Sequence, residues 1–170
     1  MHSIPIGYEV SATPLQIAMS YAAIANGGFL LKPYVVEKIE KYDDTIIKNQ
    51  RNTKKRILSQ VNAEKLKSML AHTVEHGSGK QAFISGWNVA GKTGTSKKLV
   101  EGKYSEDEFR SSFVGFFPEE NPQLLCLIIL DSPDASRNLH WGSMSAAPVF
   151  KSVMDRVCLL YTSPSPRDRT

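Results

Sequence analysis

Apolar residues recur at helical spacing in three segments of the chain. The first, residues 14–25, starts after a capping Thr13, ends at an Asn-Gly-Gly turn and is apolar on most sides, which predicts a buried helix. The second, residues 62–76, has Asn62 as its predicted cap, and the third, residues 146–157, predicts a closing helix. The predicted core stripes are Leu66, Met69, Leu70 and Val74 in the second helix, and Val149, Phe150, Val153 and Val157 in the third.

Strand patterns fill much of the remaining chain and are bounded by turn residues. The predicted strands are residues 34–41, 45–48, 87–95, 111–117 and 124–130. Residues 97–108 predict a polar loop with Gly102 near its middle. Residues 124–130 are apolar on both faces, which predicts a central strand, and the short connection before them predicts an antiparallel pair. The order of elements indicates an α+β fold with helices packed on an antiparallel sheet.

Composition fits one ordinary globular unit of 170 residues, with 41% apolar and 22% charged residues. The longest apolar run, residues 124–130, is far shorter than the ~20 residues of a membrane-spanning helix. A net charge of +4 is mild and predicts neither a nucleic-acid partner nor a membrane surface. Two cysteines cannot form a disulfide framework, and Cys126, within an apolar run, is predicted to be buried.

The segment 86–93, from Gly86 to Thr93, fits the phosphate-loop pattern G-x-x-x-x-G-K-[ST]. In a phosphate loop the Lys and Thr open a helix whose N-terminus holds the phosphates. Here Gly94 follows at once and Gly102 comes shortly after, so a helix is disfavoured. A P-loop nucleotide-binding protein therefore stands as an alternative from another functional class.

A zinc-protease pattern, H-x-x-E-H, occurs at residues 72–76, where His72 and His76 share one helix face. The predicted helix stops at Gly77, and a closed zinc site needs a further protein ligand, for which the sequence marks no carboxylate. We therefore expect no metal, and interpret these side chains as polar groups favoured near a helix C-terminus.

The third motif, Lys92-Thr93-Gly94-Thr95, carries the K-T-G triplet of penicillin-binding proteins and class A β-lactamases. Blocks around it follow in the same order: residues 6–16, 21–28, 77–80, 89–95, 111–118, 125–131 and 142–151. The chain thereby resembles the C-terminal part of a class B penicillin-binding protein, most like the division-septum type. The resemblance implies an incomplete transpeptidase domain of the penicillin-binding-protein and serine β-lactamase fold over residues 1–157.

By this resemblance, Lys92 is the catalytic residue present, and it places positive charge beside a serine acyl-transfer site. Thr93, Gly94 and Thr95 would bind substrate. The two hydroxyls would face the substrate carboxylate, and the backbone N–H of Thr95 would serve an oxyanion hole. Gly94, which has no Cβ, would let a ligand backbone lie beside the strand.

The chain also departs from the family pattern. No serine is followed three residues later by lysine, so the nucleophile motif S-x-x-K is absent from this sequence. The S-x-N pattern occurs at Ser136-Arg137-Asn138, after K-T-G rather than before it. We therefore expect this chain, begun at an internal Met1 without the family's membrane anchor, to be inactive alone. Residues 158–170 lack an apolar period and predict a disordered or non-native tail.

The resemblance implies peptidoglycan stem peptides as substrates, β-lactams as covalent inhibitors of the full-length protein, and cell-division proteins as partners. It implies no cofactor and no nucleic acid, and a location at the cell membrane with the catalytic domain on the outer face. A D,D-carboxypeptidase or β-lactamase shares the K-T-G motif and stays open, as does a non-catalytic interaction module.

Overall fold

A computed structural model describes residues 10–41, 44–48 and 55–162, and within these ranges helices cover both faces of a three-stranded antiparallel sheet. The helices are α1 (Pro14–Ala25), α2 (Gln60–Glu75) and α3 (Ala146–Thr162). The strands are β1 (Phe29–Leu30), β2 (Lys38–Lys41), β3 (Asp44–Lys48), β4 (Lys55–Arg56), β5 (Ala90–Val100), β6 (Lys103–Phe117) and β7 (Leu124–Asp131). The predicted α+β arrangement is confirmed.

Helix α1 has the predicted ends but not the predicted burial. A capping box fixes its start, because the Thr13 hydroxyl accepts from the Gln16 N–H and the Gln16 side chain accepts from the Thr13 N–H. Of its residues only Ala23 is buried, and Leu15 is 57% exposed. The expected buried helix is wrong because α1 contacts α2 and the sheet along one side, which leaves its far side uncovered by the described chain.

Helix α2 starts earlier than predicted, because Ser59 rather than Asn62 is its cap, and the Ser59 hydroxyl accepts from the Asn62 N–H. Met69, assigned to the core, is 65% exposed. Lys67 takes a buried position in its place and forms an ion pair with Glu64 at 2.9 Å. The buried positions are Ala63, Lys67, Leu70 and Val74.

Helix α3 buries only half of its predicted stripe, since Phe150 lies in the core and Val157 packs against it. Val149 and Val153 are exposed, while Phe150, Met154 and Cys158 enter the core. The helix continues to Thr162, past the predicted end at residue 157, and residues 163–170 of the predicted tail lie outside the described residues.

In the main sheet the order is β5-β6-β7, so β6 is central and β7 lies at an edge. The antiparallel pairing of β6 with β7 is confirmed, and the central position predicted for residues 124–130 is wrong. Strand β7 is apolar on both faces because helices cover both: Leu124 packs into the core beside α3, and Leu125 into the core beside α1 and α2. Cys126 is half-buried rather than fully buried.

The predicted polar loop at residues 97–108 is instead a β-hairpin. Strands β5 and β6 continue past the core and join through Glu101 and Gly102, both with positive φ (50° and 80°). A two-residue turn in which both residues have positive φ matches the right-handed twist of the two antiparallel strands that it joins. We name residues 97–108 the hairpin arm.

Two short sheets complete the described fold, with β1 paired to β4 and β2 to β3. The strand predicted over residues 34–41 is therefore confined to β2. In β4, the Arg56 guanidinium donates to the carbonyl oxygen of Gly27 and lies 4.2 Å from the Phe29 ring centroid.

The core has two parts, one on each face of the sheet. Phe113 and Phe117 of β6 face α3, and the rings of Phe113 and Phe150 lie 4.8 Å apart. Phe116 faces the other side, where it packs with Leu70 of α2. Because the side chains of β6 alternate between the two faces, β6 is packed on both sides, and β5 is hydrogen-bonded to this packed strand. Among the described residues, no helix is both long and apolar enough to cross a membrane.

Candidate active site

The four residues of the K-T-G motif lie together on β5, at one edge of the main sheet. Strand β6 pairs with one side of β5, and no strand of the described part pairs with the other. Lys92 and Thr93 are inside a strand, not at a helix N-terminus, so the phosphate-loop geometry is excluded. In the described part of the chain, that side of β5 thus has no strand partner beside the motif, and Lys92 there is exposed.

Lys92 is exposed and lies along this edge. Its Nζ is 3.1 Å from both the carbonyl oxygen and the Oγ1 of Thr93, and it donates to both. Thr93 Oγ1 is also 2.9 Å from the Oγ of Ser78, which lies in the turn after α2. An ammonium group and two hydroxyls therefore share one small patch, which suits an anionic group such as a carboxylate.

Gly94 lies between two close neighbours. A Cβ on Gly94 would come 2.5 Å from the Oγ of Ser112 on β6. From the loop before α3, Gly142 packs against Gly94 so closely that a Cβ on Gly142 would meet the Gly94 carbonyl oxygen at 2.6 Å. Gly142 is needed because backbone atoms occupy the space of a side chain there, whereas at Gly94 the Ser112 hydroxyl is the group that would have to move.

Thr95 anchors that same loop, since its Oγ1 accepts from the N–H of Gly142 at 3.1 Å. A buried hydrogen bond supports the loop from beneath, with 2.9 Å between the Oγ atoms of Ser111 and Ser145. Ser145 in turn donates to the carbonyl oxygen of Trp141 at 3.1 Å. In this structure the Thr95 hydroxyl therefore fixes the wall of the site, whereas Thr93 contributes to the exposed patch.

A charged network lies just beyond the motif, where the hairpin arm begins. Lys98 Nζ is 2.9 Å from Glu108 and 3.2 Å from Asp131. Hydrogen bonds to these two carboxylates raise the pKa of Lys98, and Lys98, helped by Arg110, lowers the pKa of Asp131. The network ties β5, β6 and β7 together at the end of the sheet nearest the motif.

The sequence placed Lys92, Thr93, Gly94 and Thr95 on one strand, and the structure brings all four to one edge. The sequence did not identify the residues that hold this edge, which are Ser78, Ser112, Gly142 and Ser145. Only the G-S-G-K spacing at residues 77–80 marked Ser78 as unusual, because a serine between two glycines sits in a turn. The other three depend on contacts far apart in sequence.

The family described as "Penicillin binding protein transpeptidase domain" matches residues 1–155. Stage V sporulation protein D of Bacillus subtilis is 34% identical, over 87% of this chain and 23% of its own length. A protein of Mesostigma viride named peptidoglycan D,D-transpeptidase FtsI homolog is 32% identical, over 93% of this chain and 28% of its own.

Penicillin-binding protein 3 of Mycobacterium tuberculosis, in its apo crystal form, superposes with a TM-score of 0.82 at 28% identity, over 95% of this chain and 38% of that one. A crystal structure of the same protein with aztreonam superposes with a TM-score of 0.81. The chain spans about a quarter of the length of the curated relatives it matches.

Proposed function

Because the chain belongs to the transpeptidase domain family of class B penicillin-binding proteins, we propose that in the full-length protein it forms the K-T-G side of a peptidoglycan D,D-transpeptidase site. The observation that carries the proposal is the exposed β5 edge, where Lys92 and Thr93 share one patch. Its proposed setting is the outer face of the cell membrane at the division septum, with cell-division proteins as partners.

The proposed substrate is a peptidoglycan stem peptide, which is an extended chain with a terminal carboxylate. Its backbone pairs with the free edge of β5 as an added strand. Its carboxylate accepts hydrogen bonds from the hydroxyl of Thr93 and meets the positive charge of Lys92, and each such bond to a charged group contributes roughly 1.5–3 kcal/mol. Thr95 keeps the adjacent wall in place through Gly142.

The reaction itself is acyl transfer through a serine ester. A serine hydroxyl attacks the penultimate D-Ala carbonyl, the terminal D-Ala leaves, and an amine of a second stem peptide then takes the acyl group. The S-x-x-K serine and lysine are not in this sequence, so the parent supplies them from outside this chain. The proposal therefore holds that the 170-residue chain alone is inactive.

β-Lactams are the second proposed ligand, as covalent inhibitors of the full-length protein. Penicillin-binding protein 3 of Mycobacterium tuberculosis has been crystallised with aztreonam. A β-lactam carries an anionic group, a carboxylate or in aztreonam a sulfonate, close to its reactive acyl group, which matches the charge and hydroxyl groups of the Lys92 and Thr93 patch.

The test is the rate of penicillin acylation in the full-length protein with Lys92→Ala or Gly94→Val. A charge pair near 4 Å contributes about 4 kcal/mol at an effective dielectric of 20, so loss of Lys92 should slow acylation by at least tenfold. Gly94→Val forces side-chain atoms into the space of the Ser112 hydroxyl. Lys97→Ala is the matched control, because Lys97 lies on the same strand but pairs with Glu106 in the hairpin arm.

Parental acylation rates in both site variants would show that the β5 edge is not the site. Product analysis on the same full-length protein separates the related alternatives. Cross-linked peptide indicates a transpeptidase, and free D-Ala without cross-links indicates a carboxypeptidase. Turnover of β-lactam indicates a β-lactamase.

A further inference from the structure

The last turn of α2 exposes three side chains that can each ligate a metal ion, namely His72, Glu75 and His76. Their ligand atoms all lie within 4.8 Å of one another. The imidazole centroids of His72 and His76 are 4.6 Å apart, and Nε2 of His76 is 3.6 Å from Oε2 of Glu75. The transpeptidase chemistry proposed above uses none of the three.

Small side-chain rotations would bring these atoms to the distances of a tetrahedral ion. With metal–ligand bonds of about 2.0–2.2 Å, two ligand atoms of a tetrahedral site lie about 3.3 Å apart. The pair formed by Glu75 and His76 is already close to that value. The widest separation must shrink by roughly 1.5 Å, which rotation of exposed side chains supplies without backbone movement.

The helix provides the pre-organisation. Residues four apart lie on the same face, so the backbone of α2 sets the spacing of the two imidazoles. In the described part of the chain, the side chains of His72 and His76 have no polar or charged partner outside this cluster. In the described fold, no polar contact with another element therefore depends on these two histidines.

We propose that His72, Glu75 and His76 form a surface site for a first-row transition-metal ion, with Zn²⁺ as the ion. Two imidazoles and one carboxylate are ligands that Zn²⁺ accepts, and water completes the tetrahedron. The argument from sequence against zinc counted only the two histidines as ligands, and the structure brings Glu75, the glutamate of the same H-x-x-E-H pattern, within 4.8 Å of both. The site is open and exposed, and it needs no protease chemistry.

The test is calorimetric titration of Zn²⁺ into the full-length protein and into its His72→Ala, Glu75→Gln and His76→Ala variants. Changing residues that merely support a ligand costs about 10–100-fold in metal affinity, so losing either histidine should cost at least about tenfold. All three positions are exposed, and unfolding curves recorded in chelator should match the parent's, which separates lost binding from lost folding.

A designed rescue makes the test specific. Ser68 is exposed and lies four residues before His72, so Ser68→His in the His76→Ala background restores a pair of imidazoles at the same four-residue spacing one turn earlier, with Ala71 in the place that Glu75 has in the parent. Recovery of saturable Zn²⁺ binding there supports the proposal, and Ser68→Ala is the matched control with parental affinity expected. Parental affinity in both histidine variants, or no saturable binding by the parent, overturns it.

Discussion

Replacing Gly142 by alanine tests how tightly the loop before α3 holds the K-T-G strand. The new Cβ would lie 2.5 Å from the carbonyl oxygen of Ser112 and 2.6 Å from that of Gly94. Reaching an ordinary contact of 3.4 Å requires a shift of about 0.9 Å in backbone that is hydrogen-bonded in the sheet. Overpacking of this kind costs about 1–3 kcal/mol, which lowers Tm by about 2–12 °C.

The larger effect is expected on the reaction, because a displacement near 1 Å in an active site can slow catalysis by about 100-fold. We expect penicillin acylation of the full-length Gly142→Ala variant to fall by about tenfold to 100-fold. Gly102→Ala is the matched control. Gly102 has φ +80° and open space around it, so an alanine there costs about 1–2 kcal/mol through backbone strain alone. It lies at the far end of the hairpin arm, away from the K-T-G residues. Equal acylation rates in both variants would refute the packing argument.

Three further predictions concern other contacts of the fold. Ser78→Ala removes one of the two partners of the Thr93 hydroxyl and should slow acylation severalfold, as the loss of one hydrogen bond of about 1 kcal/mol implies, with little change in Tm. Phe150→Ala empties a buried site and should cost about 3–5 kcal/mol in denaturant unfolding. The lowered pKa of Asp131 means that its ion pair with Lys98 stabilises the fold above the unfolded pKa near 3.9. This stabilisation fades as pH falls through the folded value, so Asp131→Asn should lower Tm at neutral pH and by progressively less as the pH is brought below that value.

Each of these has a control variant at an exposed position. Ser85→Ala lies in an exposed turn and should leave acylation at the parental rate. Val149→Ala, next to Phe150 but on the exposed side of α3, should cost under about 1.5 kcal/mol. Asp107→Asn in the hairpin arm should leave the acid unfolding curve unchanged. A control that matches its test variant would show that the named contact does not carry the effect.

Local chemistry in the sequence predicted those features that depend on a few neighbouring residues. The ends of α1 followed from Thr13, Pro14 and the Asn-Gly-Gly turn. The K-T-G residues were predicted on a strand, and Thr93 and Thr95 are β-branched residues that favour strands. The pairing of β6 with β7 followed from their short connection.

The wrong predictions concern features that depend on contacts which the local pattern of apolar residues does not show. Lys67 occupies a core position because its stem packs while its ammonium reaches Glu64, and hydrophobicity alone cannot show that. The hairpin arm carries polar residues on both faces, so it has no apolar alternation to mark its strands, and cross-strand ion pairs such as Lys97–Glu106 support it instead. The loop that carries Gly142 is placed by contacts with residues about 30 to 47 positions earlier, which no local pattern encodes.

The unequal lengths of the sheet strands divide β5 into two regions of different local stability. Strand β7 ends its pairing at Asp131 opposite Arg110, and Arg110 lies opposite Ser96 on β5. Beyond Ser96 the arm is a two-stranded ribbon, which is marginally stable by itself. Its amide protons should therefore exchange with solvent through local opening well before those of the core. The third strand stops this fraying one residue short of Thr95, so the arm can open and close while the K-T-G residues stay in register.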